Sequence, residues 1–553
     1  MKRSEAAGQQ GLLRSAGVVS AALLLSRITG LVREMAMARL FGAGAANDAF
    51  LTGFRIPNLT RNLFAEGALS SALVPTFTEA LAIGSAPEAA ELAQVVATAL
   101  VLAAGAVCVA GMIFSPQLVR LLAPGFARVP GKFELTVLLT RIMFPFLLLV
   151  ALAAQAMAIL NAHGRFGVPA LASAFFNLGS VASGLALGLT LGRRWPQGMI
   201  VSMAAGVLIG GAMQLGWQLP SLRRAGLAFW PRIDFRHPGL RRIARLMLPA
   251  VIGNAAVQIN VIVNANLASG LTDAAGRAIN GPVSWLGYAF RFLQFPLGLF
   301  GAALASATLP AISRSAALGH MDEFRATLSS SLRTALLLTI PSSVGLAVLG
   351  ESMIGVVYQG GRFGAFDTHQ TAVALACYSA GLAGYAATKL LAPAFYALDD
   401  AWTPMAVSLA SVGLNVMLAV GLARGASMGH AGLALSTALV ALAGAAALAA
   451  ALSRRIHGLE GRRLAASVVK VALAALAMGA VCRVSSVMIH AAAGGHRLAQ
   501  VADLAISIPL GAGVFYALAR MLRVPELQML EAACYTAVSH APRPEAGDPP
   551  ARN

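Results

Sequence analysis

Apolar runs of about 20 residues, separated by short polar stretches, repeat along this chain almost from end to end. The runs are continuous rather than alternating, so they predict membrane-spanning helices and argue against barrel strands. They fall near 17–40, 48–78, 92–114, 135–160, 168–191, 198–219, 243–270, 283–310, 330–350, 369–396, 404–423, 430–452, 464–487 and 501–521, about fourteen spans in all. Because the first run is interrupted by Arg27 and leads into a second span, no cleavable leader is expected. The polar, proline-rich end, HAPRPEAGDPPARN at 540–553, reads as a disordered tail.

Polar residues interrupt the first two spans. Arg27, Arg33, Glu34 and Arg39 lie in span one; Arg55, Asn58, Arg61, Asn62 and Glu66 lie in span two, which Asp48 opens. A charge near the bilayer centre costs on the order of 3 kcal/mol or more, so such residues should line a shielded, wet cavity. At about 100° per residue, Arg55, Asn58, Asn62 and Glu66 share roughly 80° of arc, with Arg61 at its edge. Pro57 should kink that helix. Arg27 and Glu34 share a face of span one, whereas Arg33 sits about 120° from Arg27, so a bend or break at Gly30 would be needed to aim both arginines at one site. Arg39 lies near the outer end and should snorkel. Span eight carries the single charge Arg291, near Gln294 and Pro296, and span ten the single charge Lys389. Several guanidiniums in one cavity suit an anionic, phosphate-bearing ligand.

Composition agrees. Hydrophobic residues make up 58% and charged residues 11%, against roughly 25% charged in soluble domains. The formal charge of +19 does not indicate nucleic acid. Arg223, Arg224, Arg232, Arg236, Arg241, Arg242 and Arg245 crowd one loop, and Arg454, Arg455, Arg462 and Arg463 another. With fourteen spans these loops share a side with both termini, and positive-inside asymmetry makes that side cytoplasmic. The opposite loops hold fewer cations, chiefly Arg120, Arg128, Lys132, Arg193 and Arg194. The loop 79–91 dissents, with Glu79, Glu88 and Glu91 and no basic residue. Cys108, Cys377, Cys482 and Cys534 are scattered, and no CxxC, HExxH or GxxxxGK[ST] occurs. Neither a disulfide framework, a zinc site, ATP coupling nor an enzymatic activity is expected, and no cofactor.

Two segments repeat. FRIPNLTRNLFAEGALSSALVP in span two and FRFLQFPLGLFGAALASATLP in span eight align at Pro75 and Pro310, matching Leu69 with Leu304, Ser71 with Ser306 and Ala72 with Ala307. Six spans separate the copies, an even number, so the repeat is parallel. The expected fold is therefore an all-α polytopic membrane protein. A first lobe covers 1–218, a cytoplasmic linker 219–242, and a second six-helix lobe 243–455; spans thirteen and fourteen occupy 456–525, with a tail at 526–553.

The segments SRITGLVREMAMARLFGAGAANDAF, FRIPNLTRNLFAEGALSSALVPTFTEA, LTRIMFPFLLL, AILNAHGRFGVPALASAFFNL, SWLGYAFRFLQFPLGLFGAALASATLP and KLLAPAFYALDDAWTP resemble the MurJ (MviN) family. These are lipid II flippases of the multidrug/oligosaccharidyl-lipid/polysaccharide exporter superfamily. The resemblance covers most of residues 20–520 and is most specific in the first two spans. It implies fourteen transmembrane helices, two lobes in a V, and an apolar groove on the last two helices for a polyprenyl tail. It carries the family's cationic cavity residues onto Arg27, Arg33, Arg61 and Arg291, and other functional positions onto Asp48, Asn58, Glu66 and Ser284. Glu34 stands where relatives often have Asp; Phe290 and Gln294 stand where some relatives have acids. Some relatives bind sodium in the second lobe; the resemblance does not place its ligands in this sequence, and Asp400 is only a candidate neighbour.

The implied activity is export of the undecaprenyl-diphosphate-linked disaccharide-pentapeptide (lipid II) across the bacterial inner membrane, powered by the membrane potential or a coupling ion. Membrane lipids and cell-wall synthesis or division proteins are the other partners implied. Two alternatives remain at this point: a flippase for another lipid-linked oligosaccharide, and a non-transporting scaffold for cell-wall synthesis.

Overall fold

The computed structural model describes the backbone of residues 2–64, 69–83, 85–227, 229–273, 275–494, 497–529 and 531, with side chains for these apart from 2–18, 20, 60–64, 70–71, 83, 248–257 and 302. Every expected span is met by helix. Span one is α1 (Lys2–Phe41); span two is carried by α2 (Ala45–Phe64) and α3 (Ser70–Ile83). α4 (Ala86–Ile113) leads through the short α5 (Ser115–Leu122) to α6 (Lys132–Met143) and α7 (Phe146–Ala162), followed by α8 (Gly167–Thr190) and α9 (Gly198–Arg223). α10 (Pro238–Ser269) follows the arginine-rich linker. α11 (Pro282–Pro296) passes through a widened turn at Leu297–Gly301 into α12 (Ala302–Ala317). Beyond it lie α13 (Met321–Tyr358), α14 (Ala365–Ser379), α15 (Leu382–Tyr396), α16 (Trp402–Val420), α17 (Gly429–Arg455), α18 (Gly461–Ala493) and α19 (Arg497–Met521). Among the described residues, ten helical stretches are long and apolar enough to cross a membrane. The protein is an all-α, multi-pass membrane protein.

Breaks in the helices have local causes. Pro145 has no N–H to return to the carbonyl four residues back, and the chain turns there between α6 and α7. Pro296 precedes the widened turn that joins α11 to α12. Pro57, by contrast, lies within α2, which stays helical on both sides of it.

By contact the chain forms two compact units. The first comprises Met1–Ala289, Val357–Ala374 and Ser408–Ser436; the second comprises Phe290–Val356, Leu375–Val407 and Thr437–Asn553. In the first, Met37, Phe41, Phe50, Leu139, Met143, Phe146, Phe176 and Met203 pack α1, α2 and α6–α9 together. In the second, Phe324, Leu328, Leu332, Leu390, Phe395 and Leu452 join α13, α15 and α17. The last two spans attach to α13 through Leu349, Met478 and Cys482, and again through Leu337, Val471 and Ala519. A polar clamp seals one end of that attachment. Arg333 reaches Glu460 at 2.8 Å and the buried Glu526 at 2.6 Å, and the Ser467 hydroxyl donates to Glu526 at 2.9 Å. The hydrogen bond from Arg333 holds the Glu460 carboxyl below its usual range.

Candidate functional site

In the first unit, charged side chains occur in two settings, one open and one sealed. The open set lies on α1 and α2. Arg27 is exposed; Arg33 is half-buried, its guanidinium 5.3 Å from the centre of the Phe176 ring, a cation–π distance. Glu34 accepts a 3.0 Å hydrogen bond from the Tyr358 hydroxyl. Arg55 and Asn58 are half-buried on α2, and the buried Asn58 Oδ1 accepts no hydrogen bond from the described residues. Arg61 lies on α2 but its side chain, like that of Asn62, is outside the described residues, and Glu66 lies wholly outside them. The turn-by-turn stripe expected on α2 is therefore described only at Arg55 and Asn58.

The chain does not break at Gly30: α1 runs helical through it. Gly30 instead makes room for α8, because a Cβ there would lie 3.3 Å from Asn177 Nδ2. That amide donates to the Ser26 carbonyl at 3.1 Å. The small residue serves helix packing, and Arg27 and Arg33 lie on one continuous helix.

The sealed set is centred on Asp48, in the first turn of α2. Its carboxylate receives four hydrogen bonds: Lys132 Nζ (2.8 Å) and the Gly281 N–H (2.8 Å) on Oδ2, and the Ser284 N–H (3.0 Å) and hydroxyl (2.6 Å) on Oδ1. That fills the acceptor capacity of a carboxylate. It also caps α11, whose first N–H groups have no partner within the helix. Gly281 has φ +115, and a Cβ there would lie 2.5 Å from the Trp285 ring, so only glycine brings this N–H to Asp48. Lys132 Nζ also donates to Asn280 Oδ1 at 2.9 Å and sits 4.0 Å from the Phe126 ring centre. Asn47 Nδ2 donates to Ser284 Oγ at 3.0 Å and Tyr288 OH at 3.1 Å. Asp48 and Ser284 are 0% exposed and Lys132 3%. The structure thus brings two expected site residues together, Asp48 and Ser284, in a network that is buried at its centre and reaches the surface at Asn280.

Lys132, Asn47, Asn280 and Tyr288 were not expected at a site. Lys132 reads in sequence as a loop cation beside water, and no local pattern links it to an aspartate 84 positions earlier.

In the second unit, Arg291 is exposed on α11 and Lys389 exposed on α15. Asp400 works locally: it caps α16 through the Thr403 N–H (3.0 Å) and hydroxyl (2.8 Å) and pairs with Arg455. The Thr403 bonds, followed by Arg455, hold its carboxyl below the usual range. The last two spans flank an open apolar groove of about 460 Å³ lined by Ala480, Val481, Val484, Ser485, Met488, Ile506 and Leu510. No group of three or more His, Cys, Asp or Glu able to hold a metal occurs among the described residues.

The family model described as "Lipid II flippase MurJ" matches residues 37–501. The chain belongs to the MurJ family. It is 37% identical over 437 residues to a protein of Vibrio cholerae serotype O1 named "Probable lipid II flippase MurJ", covering 78% of this chain and 81% of that one. It is 34% identical over 432 residues to the "Lipid II flippase MurJ" of Burkholderia cenocepacia, covering 77% and 80%. Among solved structures it resembles a MurJ described as "inward closed conformation", with a TM-score of 0.73 and 25% identity over 91% of this chain and 99% of that one. A structure described as a multidrug resistance MATE family transporter of the MOP superfamily shares the fold at TM-score 0.65 and 14% identity, over 81% of this chain and 99% of that one. MurJ proteins are transporters, so the family agrees with the absence of catalytic motifs from the sequence.

Proposed function

We propose that this chain is a lipid II flippase of the bacterial inner membrane, moving the lipid-linked disaccharide-pentapeptide from the cytoplasmic to the periplasmic leaflet by alternating access. The family match over residues 37–501 carries the reading. The intramembrane arginines supply its chemistry. In this reading Arg27, Arg33, Arg61 and Arg291 each contribute to holding the diphosphate, while Glu34, Asn58 and Glu66 meet sugar hydroxyls. Both termini are cytoplasmic, as the arginine-rich loops require.

Asp48 and Ser284 are taken up by each other and by Lys132, so they meet a headgroup only in a conformation that has parted them. The undecaprenyl tail lies against α18 and α19, whose groove is apolar on nearly every side. The diphosphate is anionic and the cytoplasm negative, so the membrane potential favours export by about 2.3 kcal/mol per charge per 100 mV. Depleting the protein should accumulate lipid II in the inner leaflet and lyse the cell. Normal periplasmic delivery after depletion would refute the reading.

Two variants probe its parts. Arg33→Lys keeps the charge but loses the planar fork that grips two phosphate oxygens. Affinity for lipid II, measured by native mass spectrometry or microscale binding, should fall about tenfold. An affinity equal to that of the parent would remove Arg33 from the diphosphate. Val484 is 59% exposed and lines the groove, so Val484→Trp should fill it without disturbing the core. Transport of full-length lipid II should drop while a soluble, tail-less headgroup still binds. Undiminished transport would place the tail elsewhere.

A further inference from the structure

A second buried acid lies far from the arginines, in the last two spans. Asp503 is 0% exposed, six residues into α19, about 9 Å from its start at 1.5 Å per residue. Three hydroxyls converge on its carboxyl: Ser352 of α13 at 2.5 Å and Ser486 of α18 at 2.9 Å on Oδ2, and Ser507 of α19 at 2.7 Å on Oδ1. Ser507 is also 2.9 Å from Ser485, which lines the apolar groove. The one basic group within ion-pair distance among the described residues is His490, whose Nδ1 lies 4.0 Å from Oδ2 and whose side chain is 34% exposed.

Other ionisable groups on these helices do not neutralise the acid. On α18, Cys482 bonds to the Ser507 carbonyl and Arg483 is exposed; on α19, Arg497 donates to the Val356 carbonyl; on α13, Glu351 is exposed. A carboxylate meant only to fix helices in a membrane is ordinarily paired with a full cation, since an unpaired buried charge costs several kcal/mol. Asp48, paired with Lys132, is built that way. Asp503 is surrounded by hydroxyls instead. A hydroxyl donates or accepts, so this shell can satisfy the charged form, with all three donating, and the neutral form, with one turned to accept. Such a shell suits a group that gains and loses a proton.

We propose that Asp503 is a reversible proton-binding site, fed through His490 from the side faced by the α18–α19 turn. His490 Nδ1 contacts the Ser486 carbonyl at 2.9 Å. A carbonyl only accepts, so Nδ1 carries hydrogen and Nε2 is open to a proton from water. A proton taken at Nε2 makes the imidazolium. Release of the Nδ1 proton to Oδ2, after a small ring rotation or across one water, leaves a neutral imidazole and a protonated Asp503. In the orientation proposed above, that turn is periplasmic; the proton site itself does not depend on what the protein transports.

Infrared difference spectroscopy on the purified full chain, titrated in detergent, reads the carboxyl directly and without substrate. A carboxylic-acid C=O band should appear as pH falls and be missing in Asp503→Asn. Ser352→Ala removes one donor to the charged form and should raise the midpoint by about one pH unit, which also serves if Asp503→Asn folds poorly. After a pH jump, His490→Gln should slow the band at least severalfold. The proposal is overturned by a titration lacking any band that depends on Asp503, by a midpoint unmoved in Ser352→Ala, or by an unchanged rate in His490→Gln. A failure of lipid II transport would leave these readings untouched, so the two proposals fail separately.

Discussion

Arg33→Ala should abolish growth of a flippase-depleted strain while the protein accumulates normally. Arg33 is half-buried against Phe176, but α1 is anchored beside it by Met37 and Phe41 in a core of aromatic and sulfur side chains. Losing the guanidinium therefore costs binding more than folding. A charge-assisted bond to phosphate contributes roughly 1.5–3 kcal/mol, equivalent to about 10- to 150-fold in affinity. Alanine at Arg27, Arg61 or Arg291 should act in the same direction. Complementation with membrane protein levels measured alongside checks the result, and full growth of the Arg33→Ala and Arg291→Ala strains would match a scaffold rather than a transporter.

Lys132→Met should lower the unfolding temperature of the detergent-solubilised protein sharply. Asp48 would keep its two backbone N–H donors and the Ser284 hydroxyl but lose the cation it pairs with. Breaking a buried pair from one side costs about 3–5 kcal/mol, because the remaining charge stays in a poor solvent. Combining Lys132→Met with Asp48→Asn removes both charges, and the double variant should be more stable than Lys132→Met alone. Thermal unfolding followed by fluorescence separates the cases. A Lys132→Met protein as stable as the parent would mean that Asp48 does not need the pair.

The spans were readable because continuous apolar runs of bilayer length admit one interpretation. The polar side chains of the first two spans were readable for the same reason, since each contradicts its surroundings. Helix phase against neighbours was less accessible. Gly30 reads as a hinge in sequence, yet it accommodates Asn177 of α8, a contact that requires knowing which helix packs there. Lys132 looked like an interfacial cation because its partner is supplied by a distant helix. Asp503 carried a signal that could have been used: it is an acid in an otherwise apolar stretch. Ser486 with His490 and Asp503 with Ser507 each stand four residues apart, but nothing local shows that their two helices meet Ser352 of a third.

The most direct test of the central claim is transport itself. The purified protein would be reconstituted into vesicles containing labelled lipid II, with an imposed membrane potential, and the labelled lipid appearing on the opposite leaflet measured over time with a membrane-impermeant reagent. The account predicts appearance above protein-free vesicles, faster with the potential directed to drive an anion across, and absent with Arg33→Ala or Arg291→Ala. A rate equal to that of protein-free vesicles, or one unchanged by either substitution, would contradict it.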